Sequence, residues 1–489
     1  MKKLLSVLLV LSMLLALCAC GASQAESAPS AGKEETESQS LTTVPVEGPE
    51  GFRVGFGKRN ITPTESVPMG GYGRSEARMS QGVLCYLWAI CLAVTDEDDN
   101  TILLISVDLC NPIEAAQAAP AVSEATGVPV ENIVISATHT HSSPDYTIDM
   151  PSVERSLEKT HKGIVEAAVE AMADRKTAQM YGATVETKNL NFVRLYLCNN
   201  GTYCGDNFGD GSSGYARHAT DADPMMQLIK FTREGGKDVI LTNFQVHPHR
   251  TGGSENYELS SDIVGEYRML MEQEVGAEMI YFSGAGGNLN PTSRIYEENV
   301  AQNARQHARA MADFAQTAQY APLNTGKVQA GAVEFEAQVN HSQDAVADVC
   351  LQLRQAWDKG EISTDELKNK GRSYGLDLHS PYHAYAIYAR SQLEKSTTYS
   401  LWAYSFGDVG FVAAPYEMFD TNGMFIKENS PFAYTVVATL SNYSHGYFPS
   451  DFTFETGSYE VDTTRFVRGT AERMADAFLE MLEGQYAAK

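Results

Sequence analysis

Residues 132–142 have the sequence NIVISATHTHS, which gives the clearest indication of how this chain folds. A run of apolar, largely β-branched residues, typical of a buried strand, ends directly in polar residues that include His139 and His141. In α/β proteins, ligands commonly bind beyond the carboxyl ends of the strands. The stretch therefore predicts a strand with a functional site at its end.

Five further strand-like runs end in the same manner. They are residues 101–107 before Asp108, 239–246 before His247, 278–283 before the glycine-rich 284–288, 409–414 before Pro415, and 435–440 before Ser441. Helical patterns at 153–175, 299–318, 342–357 and 463–483 alternate with them. This order predicts an α/β fold in one large domain, with twisted mixed β-sheets flanked by helices and a site at the carboxyl-terminal ends of the strands.

Two of these strand ends carry histidines spaced two residues apart, His139 with His141 and His247 with His249. In an extended strand, side chains at i and i+2 point to the same face, so each pair could address one point. Imidazole and carboxylate are common zinc ligands, and Glu417 follows a third strand. The pattern favours a metal site and leaves the number of ions and the choice of ligands open.

Nine motifs in chain order resemble those of the neutral/alkaline non-lysosomal ceramidases. They are GFGKRNITP (55–63), MGGY (69–72), SATHTHS (136–142), NFQVHP (243–248), LSSD (259–262), GAGGN (284–288), PYE (415–417), GYFP (446–449) and GSYE (457–460). Together they extend over nearly all of residues 52–485. The family's separate C-terminal β-domain is expected to be absent, because the chain ends after the last predicted helix.

The resemblance implies that one Zn²⁺ ion is bound by His139, His247, Glu417 and Tyr447. Tyrosine is an unusual zinc ligand, and a nearby cation would favour its phenolate form, as it favours any coordinating anion. By the same resemblance, the catalytic domain is expected to comprise residues 51–489.

The resemblance also implies catalytic roles beside the metal. His141 would hydrogen-bond the zinc-activated water or the substrate oxygen, and Arg194 would stabilise an oxyanion. Tyr459 matches an active-site tyrosine, although an aromatic residue that only covers the pocket fits the sequence as well.

One motif departs from the family pattern. Ceramidases of known activity carry a catalytic serine in a segment like GDVSP, whereas residues 287–291 here read GNLNP, with Asn290 at the serine position. An amide side chain forms hydrogen bonds but is no nucleophile, so a serine acyl-enzyme route through this position is excluded. We therefore expect water activated by zinc to attack an amide carbonyl, with proton transfer by His141 and oxyanion stabilisation by Arg194 and Asn290.

The expected function is that of a zinc-dependent amidohydrolase. Its substrate would be a ceramide-like lipid or another small N-acyl compound, cleaved at the N-acyl amide bond. Because Asn290 replaces the serine, two alternatives stay open. One is a surface lipoprotein that binds a ligand without turnover, and the other is a zinc esterase using the same metal ligands.

The charge balance excludes one class of partner. The 489 residues include 62 Asp and Glu but 37 Lys and Arg, for a formal net charge of −25. Phosphate backbones are bound by Lys/Arg surfaces, so no nucleic-acid partner is expected. Electrostatic attraction to anionic lipid headgroups is likewise not expected.

The N-terminus predicts export. Two lysines precede an apolar run at 4–17, which is short for a membrane span and typical of a signal peptide. Residues 17–21, LCACG, resemble a bacterial lipobox, which implies cleavage and lipidation at Cys20; plain secretion is the alternative. Residues 21–50, rich in Ser, Glu, Ala and Pro, are expected to form a flexible tether. The predicted location is extracytoplasmic, anchored to the bacterial membrane through the lipidated Cys20.

Cys198 and Cys204 flank a predicted hairpin turn. A three-residue loop at 200–202 would place the two sulfurs opposite each other, which is compatible with a disulfide. A two-residue loop at 200–201 would pair Cys198 with Tyr203 instead, and buried free thiols are a further alternative. The sequence contains no CxxC pair that would indicate a thiolate zinc site.

Overall fold

The framework of the protein is built from mixed β-sheets with helices packed against them. The computed structural model describes residues 51–72, 78–251, 256–295 and 303–489. The predicted signal peptide and tether, with Cys20, lie outside the described residues. The predicted α/β fold with mixed sheets flanked by helices is confirmed.

All six predicted strands form. The strands are β1 (Arg53–Asn60), β2 (Pro68–Met69), β3 (Arg78–Met79), β4 (Gly82–Val83), β5 (Trp88–Thr95), β6 (Thr101–Val107), β7 (Ile133–Ala137), β8 (Lys176–Glu186), β9 (Phe192–Val193), β10 (Leu195–Cys198), β11 (Tyr203–Gly205), β12 (Tyr215–His218), β13 (Met225–Arg233), β14 (Val239–Phe244), β15 (Glu258–Leu259), β16 (Glu278–Ser283), β17 (Leu289–Asn290), β18 (Ala321–Leu323), β19 (Val328–Gln338), β20 (Ser396–Phe406), β21 (Val409–Ala414), β22 (Glu417–Met418), β23 (Tyr434–Thr439) and β24 (Tyr447–Phe448).

The four predicted helices form with shifted ends. The helices are α1 (Ile113–Ala116), α2 (Ala119–Thr126), α3 (Pro151–Ala173), α4 (Asp262–Val275), α5 (Ala304–Ala315), α6 (Ala347–Asp358), α7 (Thr364–Arg372), α8 (Pro381–Ser391), α9 (Asp420–Asn429), α10 (Asp451–Thr456), α11 (Tyr459–Thr463) and α12 (Thr470–Ala487). The predicted helix at 463–483 starts only at Thr470, because Gly469 before it has a left-handed backbone, φ +79°. Within the described ranges, we find no helix of the length and apolar character needed to cross a lipid bilayer.

Two large sheets contain most of the strands. The first has the order β16-β14-β13-β8-β1-β5-β6-β7, with β18 paired to β8, and the second has the order β19-β20-β21-β23. Three neighbouring pairs in these sheets run parallel: β6 with β7, β14 with β16, and β21 with β23. The remaining neighbours in both sheets are antiparallel.

Side-chain hydrogen bonds join strands of the three parallel pairs near their carboxyl ends. Asn243 on β14 donates from Nδ2 to the carbonyl oxygens of Phe282 on β16 (2.9 Å) and Val437 on β23 (3.0 Å). Ser136 on β7 donates to the carbonyl oxygen of Thr439 on β23, at 3.0 Å. The segments that follow these strands therefore leave the sheets next to one another.

Helix α3 packs unusually close to β1. A Cβ atom added at Gly55 or Gly57 would lie 1.9 or 2.0 Å from a carbonyl oxygen of the helix, that of Ala171 or Ala167 respectively. Only glycine leaves room for this approach. The GFGKRN motif thus fixes the helix against one face of the first sheet.

The predicted hairpin forms, but in neither of the two expected registers. Leu197 lies opposite Tyr203, so Cys198 faces Thr202 and the loop consists of residues 199–201. Cys204 lies opposite Tyr196. Since residues two apart in a strand share a face, Cys198 and Cys204 project to the same side as a diagonal pair, and they form a disulfide.

Candidate metal centre and active site

His139 occupies the first turn after β7 in a left-handed backbone conformation, φ +67°. His139 and His141 were expected to share one face because the backbone there would be extended. That reason is wrong, since the backbone at His139 is left-handed. Their rings are nevertheless close, with centroids 4.8 Å apart. Nδ1 of His139 lies 2.7 Å from the carbonyl oxygen of Cys110, so Nδ1 donates a hydrogen bond there and Nε2 is the ring nitrogen that faces the site.

His247 follows β14 and faces the same point. Its Nε2 lies 3.0 Å from Nε2 of His139 and 3.1 Å from Nε2 of His141. Nδ1 of His247 is 3.3 Å from the carbonyl oxygen of Gly286, in the glycine-rich segment after β16. Three imidazoles from two separate strand ends thus converge through their Nε2 atoms.

Glu417 and Tyr447 are neighbours in the structure, and Glu417 reaches His139. Each begins a two-residue strand, β22 and β24, and the two residues are directly paired in the parallel register. Oε2 of Glu417 lies 3.3 Å from Nε2 of His139 and makes no hydrogen bond in the described structure. The guanidinium carbon of Arg194 lies over the ring of Tyr447, 5.5 Å from the ring centroid.

These donor atoms fit a bound cation. With Nδ1 of His139 and His247 directed at carbonyl groups, their Nε2 atoms face each other at 3.0 Å, close enough to share one positive charge, either a proton or a metal cation. In a tetrahedral zinc site with bonds of about 2.0–2.1 Å, ligand atoms lie about 3.3 Å apart. The two distances from Nε2 of His139, 3.0 Å to His247 and 3.3 Å to Glu417, are close to this spacing, and the group has the imidazole–carboxylate chemistry that zinc prefers.

The pKa shifts concentrate the positive charge of the three imidazoles on His139. Burial opposes the charged form of His139, but the Glu417 carboxylate outweighs it and holds the pKa of His139 well above its usual value. Burial, followed by the charge on His139, lowers the pKa of His247 and of His141 well below the usual value. Burial and Glu417 raise the pKa of Tyr447, and the charge of Arg194 opposes that rise.

Arg194 is fixed by a buried ion pair. Its Nε donates to Oε1 of Glu460 at 2.6 Å, and its Nη2 donates to the carbonyl oxygen of Gly287 at 2.9 Å. The side chains of Arg194 and Glu460 are 9% and 4% exposed. The predicted oxyanion residue therefore has a set orientation next to Tyr447, and Glu460 is a site residue that the sequence analysis did not assign.

Asn290 lies in a ladder of two short strands, β17 and β9, that also positions Arg194. Nε2 of His249 donates to Oδ1 of Asn290 at 2.9 Å, and Nδ2 of Asn290 donates to Asp206 at 3.0 Å. The second histidine of the HPH motif thus serves Asn290 and lies apart from the group of ligand atoms. His249 was expected only as part of the two-histidine metal pattern with His247, and Asp206 was assigned no role from the sequence.

Tyr459 starts α11 and lies beside Tyr447, with ring centroids 5.9 Å apart in an edge-to-face arrangement. A second edge-to-face contact, at 6.2 Å, joins Tyr459 to Tyr382 of α8. Burial raises the pKa of Tyr459 to about 12, so the hydroxyl stays protonated at neutral pH. Tyr459 therefore lies beside Tyr447 with its hydroxyl proton retained.

Asp108 shows that a polar strand end is not always a ligand. It ends β6 as His139 follows β7, but its Oδ2 pairs at 2.5 Å with Nη2 of Arg268 on α4. Both side chains are almost completely buried, at 0% and 2% exposure. Asp108 is therefore a structural residue of the core.

A sequence model of the neutral/alkaline non-lysosomal ceramidase N-terminal region matches residues 52–341. The chain belongs to this family. Two solved structures share its fold. The neutral ceramidase from Pseudomonas aeruginosa has 17% sequence identity and a TM-score of 0.65, with 89% of this chain and 74% of that chain covered. A ceramidase complexed with C2 has 18% identity and a TM-score of 0.65, with 90% and 76% covered.

The family match covers the earlier residues of the site, and contacts in the structure connect the later residues to them. The matched segment contains His139, His141, Arg194, His247 and Asn290 and ends before Glu417. The later residues are connected to the earlier ones by contacts: Glu417 to His139, and Tyr447 and Glu460 to Arg194. Family membership indicates a hydrolase of the ceramidase type, and the described residues include a group able to hold a metal ion.

Proposed function

We propose that this protein is a zinc-dependent amidohydrolase that cleaves the N-acyl amide bond of a ceramide-like or other N-acyl substrate. The observation that carries the proposal is the convergence of His139, His247 and Glu417 on one point. Nε2 of His139 lies 3.0 Å from Nε2 of His247 and 3.3 Å from Oε2 of Glu417, and all three ligand atoms lie within 4.8 Å of one another. Family membership supports the reaction class. The solved ceramidase structures support the fold on which this site is built.

His139, His247, Glu417 and Tyr447 would hold the ion. A bound zinc ion supplies Lewis-acid polarisation of a carbonyl and lowers the pKa of water from about 15.7 to about 7. The carbonyl groups of Cys110 and Gly286 orient the two imidazoles, which is the usual arrangement for metal-binding histidines.

His141 is the candidate proton acceptor. Its Nδ1 makes no hydrogen bond in the described structure, and its burial lowers its pKa, so it is neutral near pH 7. A neutral imidazole can take the proton of an attacking water and return it to the leaving amine. The edge of Tyr72, 5.1 Å from the His141 ring centroid, helps to hold the ring in place.

Arg194 and Tyr459 would act on the substrate carbonyl. The positive charge of Arg194 next to Tyr447 favours negative charge that develops on the carbonyl oxygen, and Glu460 keeps the guanidinium oriented without reorganisation during the reaction. The protonated Tyr459 can donate a hydrogen bond to the same oxygen.

Asn290 favours a direct attack by water, and it also keeps a non-catalytic alternative open. Its amide is engaged by His249 and Asp206, and the nearby hydroxyl groups of Ser283 and Ser293 are hydrogen-bonded to Thr138 and His218. A protein that has kept the pocket for binding alone would show this arrangement too. A zinc esterase would use the same metal ligands to cleave an ester bond, which is hydrolysed more easily than an amide bond.

The experiment combines metal content with a substrate panel. Zinc per chain is measured by elemental analysis in the wild type, in His247→Ala, and in the control His341→Ala, whose histidine is paired with Asp344 at the surface. Turnover is measured with ceramides, fluorogenic N-acyl amides and matched esters, with and without chelator.

We expect His247→Ala to lose one zinc equivalent and amide hydrolysis, whereas His341→Ala keeps both. Full zinc content in His247→Ala would refute the ligand set. Ester cleavage without amide cleavage would favour the esterase, and chelator-insensitive ligand binding without turnover would favour the binding protein.

The location is proposed from the sequence of residues 1–21. We propose that the protein is anchored outside the cytoplasm by lipid on Cys20, with residues 21–50 as a tether. Labelling of cells with radioactive palmitate tests this. The wild type should incorporate label and sediment with membranes, and Cys20→Ala should do neither; label in Cys20→Ala would refute the anchor.

A further inference from the structure

A second cluster of metal-ligating side chains lies on the far side of α11. His379 precedes Ser380, the N-cap residue of α8, and His383 lies in the first turn of that helix. Asp462 belongs to α11. One ligand atom from each of these three residues lies within 4.8 Å of the other two.

The spacing of the donors suits a small cation. Nδ1 of His379 is 2.8 Å from Oδ2 of Asp462, and Nδ1 of His383 is 3.3 Å from Oδ1 of the same carboxylate. Both imidazoles therefore face one carboxylate, and their rings are stacked with centroids 5.5 Å apart. Two imidazoles and a carboxylate form a ligand set typical of zinc and other borderline dications.

His383 has a donor atom that the protein leaves unsatisfied. The residue is 8% exposed, and its Nδ1 makes no hydrogen bond within the described part of the chain. A buried polar atom without a partner costs about 1–3 kcal/mol, and a bound ion would remove that cost. Asp462 is also buried, at 6% exposure.

Carboxylates and cationic side chains both lie near the cluster, which has an open side. Asp377 lies 3.7 Å from Nε2 of His379, so two carboxylates flank the histidines. The nearby cations are Arg390 and Lys368, and Nη1 of Arg390 donates to the backbone carbonyl of Asp462 at 3.3 Å, away from the carboxylate. The His379 side chain is 27% exposed, which gives an ion access from solvent.

The cluster joins three segments that border the candidate active site. Helix α11 carries Tyr459 and Glu460 as well as Asp462, and Tyr382 of α8 contacts Tyr459. Phe208, in the segment after Asp206, packs edge-on against His379 with centroids 4.5 Å apart. An ion here would hold α11 against α8 next to the Arg194–Glu460 pair.

We propose that His379, His383 and Asp462 form a second metal site that binds a zinc-class dication and positions α11. This site is separate from the group around His139, and the proposal does not depend on the proposed hydrolysis. Asp462 and the two histidines are positioning residues, because they touch neither substrate nor the first metal.

Metal content tests the proposal directly. The full chain is stripped with chelator, dialysed against zinc and analysed for bound metal, and His383→Ala and Asp462→Asn are compared with His247→Ala and with the surface control His341→Ala. Each of the first two variants should bind one zinc equivalent fewer than the wild type and keep the equivalent that His247→Ala loses. Wild-type zinc content in both His383→Ala and Asp462→Asn would overturn the second site and leave the first untouched.

A measurement on the wild type covers variants that fail to fold. Crystals of the protein loaded with two zinc equivalents are examined by anomalous scattering at the zinc edge. A peak within about 2.5 Å of the His379, His383 and Asp462 donor atoms supports the site. Its absence, with a peak present at His139, would overturn it; a peak here without one at His139 would instead contradict the proposed catalytic centre.

Discussion

The Arg194–Glu460 ion pair allows a specific prediction, because it is buried and lies next to Tyr447, a proposed metal ligand. Glu460→Gln removes the negative charge but keeps a side-chain oxygen that can accept from Nε of Arg194. Loss of one partner from a buried ion pair costs about 3–5 kcal/mol, since the other charge stays desolvated. With exposures of 9% and 4%, and with one hydrogen bond retained, we expect a cost of about 3 kcal/mol, roughly a 150-fold fall in the folded-to-unfolded ratio.

The assay is urea unfolding at a fixed free zinc concentration, because bound metal adds to the measured stability. The matched control is Glu455→Gln, whose carboxylate pairs with Arg468 at the surface with exposures of 63% and 46%. An exposed pair contributes about 0.2–1 kcal/mol, so this variant should unfold close to the wild type.

Measurements of zinc content and turnover distinguish a loss of Arg194 orientation from a loss of folding stability. Glu460→Gln should keep its zinc, because Arg194 is not a ligand, while turnover falls about 10–100-fold as the guanidinium loses its fixed direction. A Glu460→Gln protein as stable as the Glu455→Gln control would refute the reasoning that Arg194 depends on this partner in a desolvated environment.

Three other predictions concern polar side chains of the site and the core. Asn290→Ala should slow turnover about 100-fold and leave zinc content unchanged if its amide serves the oxyanion, as steady-state kinetics and elemental analysis would show; equal turnover would remove Asn290 from the mechanism. Asp108→Asn should lower the free energy of unfolding by about 3–5 kcal/mol because Arg268 stays buried and unpaired, and the further change Arg268→Met should recover part of the loss in urea titrations. Burial raises the pKa of Asp420 to about 6, above its unfolded value of about 3.9, so its contribution to stability is fully present below pH 4 and is lost as pH rises through 6. The unfolding free energy of wild type minus that of Asp420→Asn should therefore fall by about 3 kcal/mol between pH 4 and pH 7 and stay level above, and a difference independent of pH would contradict this assignment.

The strands and their ends could be predicted from the sequence because they depend on local patterns. The apolar runs before Asp108 and His139 are continuous and bounded by polar residues, and both are strands in the structure. The role of the polar residue at each strand end could not be predicted from the local sequence. Asp108 meets Arg268 from α4, whereas His139 meets Glu417, and only the sheet order decides which partner arrives.

The partners of the site residues could not be found from the sequence for the same reason. Glu460 lies beside the predicted Tyr459, yet its role depends on reaching Arg194, 266 positions earlier in the chain. Asp206 lies in a segment whose position follows from the hairpin register, and that register was predicted incorrectly. The left-handed backbone at His139 has no sequence marker, because only its hydrogen bonds to the neighbouring segment require it.

The proposed ligands are drawn from remote parts of the chain: His139 and Tyr447 are separated by about three hundred residues and follow strands of different sheets. No partly folded intermediate with only one sheet formed can assemble this centre. An ion that binds only the native arrangement would add its affinity directly to the stability of the whole domain. Metal release on heating should therefore coincide with global unfolding, and a metal-sensitive dye would then serve as a reporter of the folded population.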